Sequence, residues 1–261
     1  MKRSFKNMAL IIISIYMIFT LAACNSFKKE PIEIPKVEPE ETVETLSKEE
    51  QDSIMKGYYQ ILAENSHKED IISYIDDNIK KLDRENAESM IVSLENFLAS
   101  TNSSMEEDYS LLSRYTEYVS AEMQSYLHIL ELETGNSFTD GEILRIDMDE
   151  ILDRALDAEK HLNDFQDGKT SRKIYELYIE YIKASMIGTG NQYIFAEEGN
   201  SKIKDEYLEI YKSIIEDNSN TNTADILSQY VKILEENQGD MNSEDVNRFY
   251  DEIELIIKEH F

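Results

Sequence analysis

The last proline in this 261-residue chain is Pro39, and everything after it lacks the residue that most reliably interrupts a helix. Proline has no backbone donor and clashes with the preceding turn, so without it helix breaking falls to glycine and to capping side chains. Apolar residues beyond Pro39 recur every three to four positions, as one helix face requires, and only residues 192–195 come near the alternation of a strand. Helix starts read as capping boxes at Ser47 with Glu50, Ser66 with Glu69, Ser103 with Glu106 and Thr139 with Glu142. In each, the hydroxyl accepts an amide proton three residues on and the glutamate reaches back. Stops read as left-handed C-caps at Gly135, Gly168, Gly188 and Gly239. The pattern predicts helices over residues 47–64, 67–82, 84–100, 104–134, 140–166, 171–187, 202–217, 223–237 and 243–260. The expected fold class is all-α: antiparallel helices packed as a bundle or a short α-solenoid over residues 47–261, with a sub-boundary near 135–139.

The amino end follows other rules. Lys2, Arg3 and Lys6 precede an apolar run from Met8 to Phe19, and Thr20 leads into Leu21-Ala22-Ala23-Cys24. A basic segment, an apolar core of about 7 to 15 residues and small residues before a cleavage point make a secretory signal. A spanning helix would need about 20 apolar residues, more than Lys6, Asn7, Asn25 and Lys28 leave between them. Leu21, Ala22, Ala23 and Cys24 resemble the lipobox of bacterial lipoproteins, whose cysteine receives a diacylglyceryl thioether. The resemblance covers residues 1–24 only. It implies a leader of residues 1–23, removed on export, and a covalent lipid on Cys24 that holds the protein at the extracytoplasmic face of the cell membrane. Two acyl chains, at about 0.8 kcal/mol per buried methylene, anchor stably where one does not. Cys24 is the single cysteine, so no internal disulfide is expected.

Residues 24–46 read as a tether. Pro31, Pro35 and Pro39 stand there among Glu30, Glu33, Glu38, Glu40, Glu41 and Glu44. Proline and like charges both favour extension, and at about 3.1 Å per residue twenty-odd residues reach roughly 60 Å. The formal charge is −28, and loss of Lys2, Arg3 and Lys6 with the leader makes it more negative still. Such acidity argues against nucleic acid, whose binders displace counterions with basic patches. It argues equally against lying flat on anionic lipid.

Two periodicities stand out in the helical part. Leu144, Met148, Ile151, Ala155, Ala158, Leu162 and Phe165 step by fours and threes, a narrow seam for a partner helix drawn from residues 104–134 or 171–187. Leu208, Tyr211, Ile214 and Asn218 recur nineteen residues on as Leu227, Tyr230, Ile233 and Asn237. Nineteen per helix and turn lies near the periods of tetratricopeptide and HEAT-like arrays, though the tryptophan, glycine and proline positions of the former are missing.

Chemical motifs are scarce. Glu64 to His67 is a Glu-x-x-His pair with no second pair to complete a di-metal site, and His128 with Glu131 is one isolated turn. Residues 136–147 have Asp140 and Gly141 where a calcium loop would, but Phe138 stands at a ligand position. No glycine-flanked serine, phosphate-binding loop or zinc motif occurs, so the sequence predicts no catalytic residue, no metal ligand and no cofactor besides the lipid on Cys24. The one enrichment is sixteen tyrosines in a chain without tryptophan. Tyrosine offers large amphipathic contact at low entropic cost. More often such rings are the half-buried rim of a tryptophan-free core; if a partner-binding site exists, the expected residues are Tyr175, Tyr178, Tyr181, Tyr193 and Phe195, beside the irregular stretch at Gly188 and Gly190. The chain therefore reads as a non-enzymatic, lipid-anchored domain engaging the membrane through its lipid and a protein or peptide through its helices. The alternative is a helical cell-envelope hydrolase or wall-modifying enzyme, with a working pair among its 54 acidic residues.

Overall fold

Helix formation starts where the first capping box places it. A computed structural model describes residues 46–64, 67–100, 111–141, 143–188, 195–196 and 201–261, all within the unit Thr42–Phe261. Ser47 accepts from the Glu50 amide and gives its own N–H to the Glu50 carboxylate at 3.0 Å, opening α1 (Lys48–Ala63). Then follow α2 (Lys68–Asn78), a 3₁₀ turn at Ile79–Lys81, α3 (Arg84–Ser100), a 3₁₀ segment at Ser113–Tyr118 and α4 (Ala121–Gly135). A hairpin of β1 (Thr139–Asp140) and β2 (Ile143–Leu144) precedes α5 (Met148–Asp164), α6 (Ser171–Ile187), α7 (Asp205–Asp217), α8 (Asn222–Glu236) and α9 (Glu244–Lys258). The fold is all-α as expected. The leader, Leu21, Ala22, Ala23, Cys24, most of the tether, Ser66, Ser103 and Tyr193 lie outside the described residues.

Two predicted helices are shorter than their periodicity suggests. The run over 104–134 does not continue as one helix, because Val119 is extended at φ −113°, ψ 168° and Ser120 caps a new start. The Ser120 hydroxyl accepts the Met123 amide at 3.3 Å, while the Ser120 N–H is taken by Glu88 at 2.7 Å. The run over 140–166 begins only at Met148. Thr139 does not cap a helix, since Asp140-Gly141 turns the chain, with Gly141 at φ 63° and Thr139 paired to Leu144, and Glu142 lies outside the described residues. Asp-Gly is a strong hairpin signal, and glycine near a helix start is a poor helix former. Of the glycines read as C-caps, Gly188 and Gly239 have the positive φ expected, Gly188 with ψ −154° rather than the helical left-handed value, whereas Gly135 and Gly168 do not.

The seam on α5 is real between Met148 and Leu162. Met148, Ile151, Ala155, Ala158 and Leu162 are buried, and α5 packs most extensively against α6. Leu144 belongs to β2 instead, and Phe165 lies just past the end of α5. Short connections fold α1 against α2, α7 against α8 and α8 against α9, as antiparallel neighbours require.

In place of tryptophan, six tyrosines are the largest fully buried side chains: Tyr58, Tyr126, Tyr178, Tyr181, Tyr211 and Tyr230. A buried phenol must donate its hydrogen, and these do. Tyr58 donates to the Met90 carbonyl at 2.9 Å. Tyr211 and Tyr230, the echoed pair on α7 and α8, meet edge to face at 5.7 Å and donate to the successive carbonyls of Ser185 and Met186. Those carbonyls belong to the last turn of α6, which has no helical donors left to serve them.

The starts of later helices are taken by acceptors from earlier ones. Gln51 on α1 accepts the Asp83 N–H just before α3 at 2.8 Å, and Glu88 on α3 accepts that of Ser120 before α4. Glu122 on α4 accepts the N–H of Thr170, before α6, at 2.8 Å. On α5, the buried Glu159 accepts from the amides of Asn222 and Thr223 at 2.6 and 2.8 Å and from the Thr223 hydroxyl at 2.6 Å, holding the start of α8. Each acceptor meets orphan donors at the positive end of a helix dipole.

Candidate functional site

The residues singled out by sequence do not gather on one surface. Tyr178 and Tyr181 are fully buried, because their face of α6 is the one packed on the core. Tyr178 shares a hydrogen bond with the Thr223 hydroxyl at 3.0 Å, and Tyr181 donates to Glu133 at 2.7 Å. Burial pushes both phenols well above their ordinary range, and the neighbouring carboxylate pushes Tyr181 further. Phe195 is 2% exposed, its ring edge-on to Tyr207. None of the three offers a face to a partner. Tyr175 alone is half-buried and borders an open recess.

A groove of about 490 Å³ crosses the neighbouring helices α1, α3, α4 and α6. Tyr59 on α1 and Val92 on α3, exposed by 47% and 36%, flank it. Ser89, Val92, Ser93 and Asn96 follow the i, i+3, i+4, i+7 spacing of one α3 face, and Ser89, Ser93 and Asn96 are its polar part. At the floor, the Glu95 carboxylate accepts from Tyr126 at 2.6 Å and from Lys173 at 2.9 Å, and Lys173 also reaches the Tyr126 oxygen at 2.9 Å. The charges are layered: the Glu95 side chain is 8% exposed and that of Lys173 58%. Lys169 stands over Glu88 in the same sense, at 3.9 Å. The groove thus carries carboxylates below and ammonium groups at its lip. The acceptors Gln51, Glu88 and Glu122 hold its walls in register by fixing where α3, α4 and α6 begin.

Behind this groove runs a buried polar chain. Thr170 gives its hydroxyl hydrogen to Glu122 at 2.6 Å, so towards His161 Nε2, 3.0 Å away, it can only accept. The imidazole proton is thereby assigned to Nε2, which leaves Nδ1 to accept from the Ser125 hydroxyl at 3.0 Å. A serine hydrogen-bonded to a neutral imidazole is the beginning of a nucleophile and base pair. Here Ser125 and His161 are buried, 8% and 1% exposed, and neither borders the groove. Burial lowers the His161 pKa, against the opposing influence of Glu122 and Asp164. Arg154 is likewise buried. Desolvation opposes its charge, but Glu150 and Glu133 bind it and hold its pKa above the usual value.

The recess beside Tyr175 has a volume of about 560 Å³. Leu162, Tyr175 and Phe261 form its apolar wall, Phe261 standing edge-on to Tyr175 and Tyr178 at 6.0 and 5.4 Å. Arg172, Lys258 and His260 line the rest with Asn163, Gln166 and Ser171. His67 is the N-cap of α2 and Glu64 the C-cap of α1. Among the described residues no three His, Cys, Asp or Glu side chains gather to hold a metal ion, and no helix is long and apolar enough to cross a membrane.

Tyrosine content points away from the α3 face, where serine and asparagine at helical spacing look like ordinary solvated surface. The signal available was Val92 set between Ser89, Ser93 and Asn96. Set against known proteins, the chain matches no family model, no curated protein and no solved structure.

Proposed function

We propose that this chain is a lipid-anchored binding protein of the bacterial cell surface, tethered through Cys24, whose helical domain engages an extended segment of a partner protein. The observation that carries the reading is the groove over α1, α3, α4 and α6, where exposed Tyr59 and Val92 adjoin the amide of Asn96. An amide offers both donors and an acceptor, which suits a peptide backbone, and the exposed apolar pair gives a partner side chain something to cover. Action by binding rather than by catalysis is supported by the buried Glu95 and Glu159 and the half-buried Glu122, since each is engaged in holding other groups.

A photo-crosslinking residue at Val92, in intact cells, tests the groove. One discrete protein adduct is expected, and it should be missing when the crosslinker stands at Leu255, an exposed apolar position on α9. No adduct from Val92, or the same adduct from both positions, would overturn the reading. The anchor has a separate test. Cys24→Ala should leave the precursor unprocessed or free the protein from the membrane fraction, and normal processing with continued retention would refute it.

A further inference from the structure

We infer that the recess between the end of α5, the start of α6 and the end of α9 is a binding site for a small organic carboxylate that carries an aromatic or alkyl group. Its two halves differ in chemistry and face one space. Leu162, Tyr175 and Phe261 present carbon, and Phe261 is still 44% exposed, so part of that wall is left for something else to cover. The same recess is also lined by the basic Arg172, Lys258 and His260, and no lining side chain is acidic, although the chain as a whole has 54 acids against 26 lysines and arginines.

Lys258 makes no ion pair among the described residues. The Arg172 side chain is 90% exposed, and its partner Glu176, one turn along α6, lies outside the lining, as does Asp225, the partner of His260 at 3.5 Å. The exposed Arg172–Glu176 pair holds its cation weakly and leaves it free to turn towards an incoming anion. A carboxylate would sit between Arg172 and Lys258, and its apolar group would pack on Phe261 and Tyr175. Arginine is suited to this as a planar donor matched to a carboxylate. Uncharged molecules of the same shape would gain only the apolar half.

The test titrates 2-naphthoate, its neutral analogue 2-naphthamide and inorganic phosphate against the full chain in phosphatidylcholine nanodiscs, with empty nanodiscs as the blank. Saturable binding of naphthoate is expected, with naphthamide and phosphate each at least about tenfold weaker. The double substitution Arg172→Glu with Lys258→Glu should weaken naphthoate about tenfold or more without lowering the melting temperature, since both side chains are exposed. Phe261→Ala should weaken naphthoate and leave phosphate unchanged. Equal binding of naphthoate and naphthamide, unaltered binding after the charge reversal, or no saturable naphthoate binding would each overturn the inference.

Discussion

Two buried residues carry consequences out of proportion to their size. Glu159 accepts three hydrogen bonds at the start of α8, and truncating it would strand two amides and a hydroxyl in the interior. Glu159→Ala should therefore cost about 2–4 kcal/mol in urea unfolding, while Glu159→Gln, which keeps one acceptor oxygen, should cost clearly less. A Glu159→Ala variant as stable as the parent would refute this account of the α8 start. His161 gives a pH signature. Its folded pKa lies below the ordinary value of 6.5, so once the pH falls below about that value the unfolded chain binds the proton first. Stability contributed by the neutral imidazole is complete above that pH and is lost as the pH falls towards the lowered folded value. Carboxylates titrate in the lower part of the same range, so the comparison must be made with His161→Gln, which removes only the imidazole. Between neutral pH and about pH 5, the parent should lose more stability than the variant.

At the scale of helices and turns, glycines that look alike in the sequence behave oppositely. A Cβ on Gly135 would meet nothing within 4 Å, whereas one on Gly168 would lie 2.6 Å from a Glu122 oxygen and 2.9 Å from the Phe165 carbonyl. Gly135→Ala should be neutral or stabilising by up to about 1 kcal/mol. Gly168→Ala should destabilise by about 1–3 kcal/mol, because backbone cannot yield as a side chain can. Thermal melts of the two variants check both signs. The tyrosine caps are equally testable: Tyr211→Phe and Tyr230→Phe should each cost about 1 kcal/mol, by removing the donor to an α6 carbonyl that no helical amide serves. What the sequence made legible follows the same division between local and distant causes. The Ser47 box, the α5 seam between Met148 and Leu162 and the α7–α8 echo all depend on residues within a few turns of each other, and these are found where their patterns put them. The break before Ser120 was hidden because its second partner is Glu88, thirty-two residues away, and the hairpin because Asp140-Gly141 outweighed a capping box of equal sequence quality. The groove was illegible for a related reason. Its floor joins Glu95, Tyr126 and Lys173, and no spacing along the chain announces that they meet.

For the molecule as a whole, charge is the dominant feature, at −28 over 261 residues. Like charges oppose compaction, and salt relieves them. The urea midpoint should rise from about 0.01 M to about 0.15 M sodium chloride, as the screening length falls from about 30 to about 8 Å. A midpoint that stays level or falls would mean that the exposed ion pairs of α5 to α9 outweigh the repulsion. The phenols of Tyr211 and Tyr230 carry a further implication. They close the end of α6 from helices that lie later in the chain, and α8 in turn depends on Glu159 from before α6. The later helices therefore cannot be peeled away one at a time. A chain cut in the connection after Gly188 would be left with a frayed helix end on one piece and a bare buried carboxylate on the same piece. Pulse proteolysis should accordingly find intact protein or small peptides, with no long-lived amino-terminal half between them.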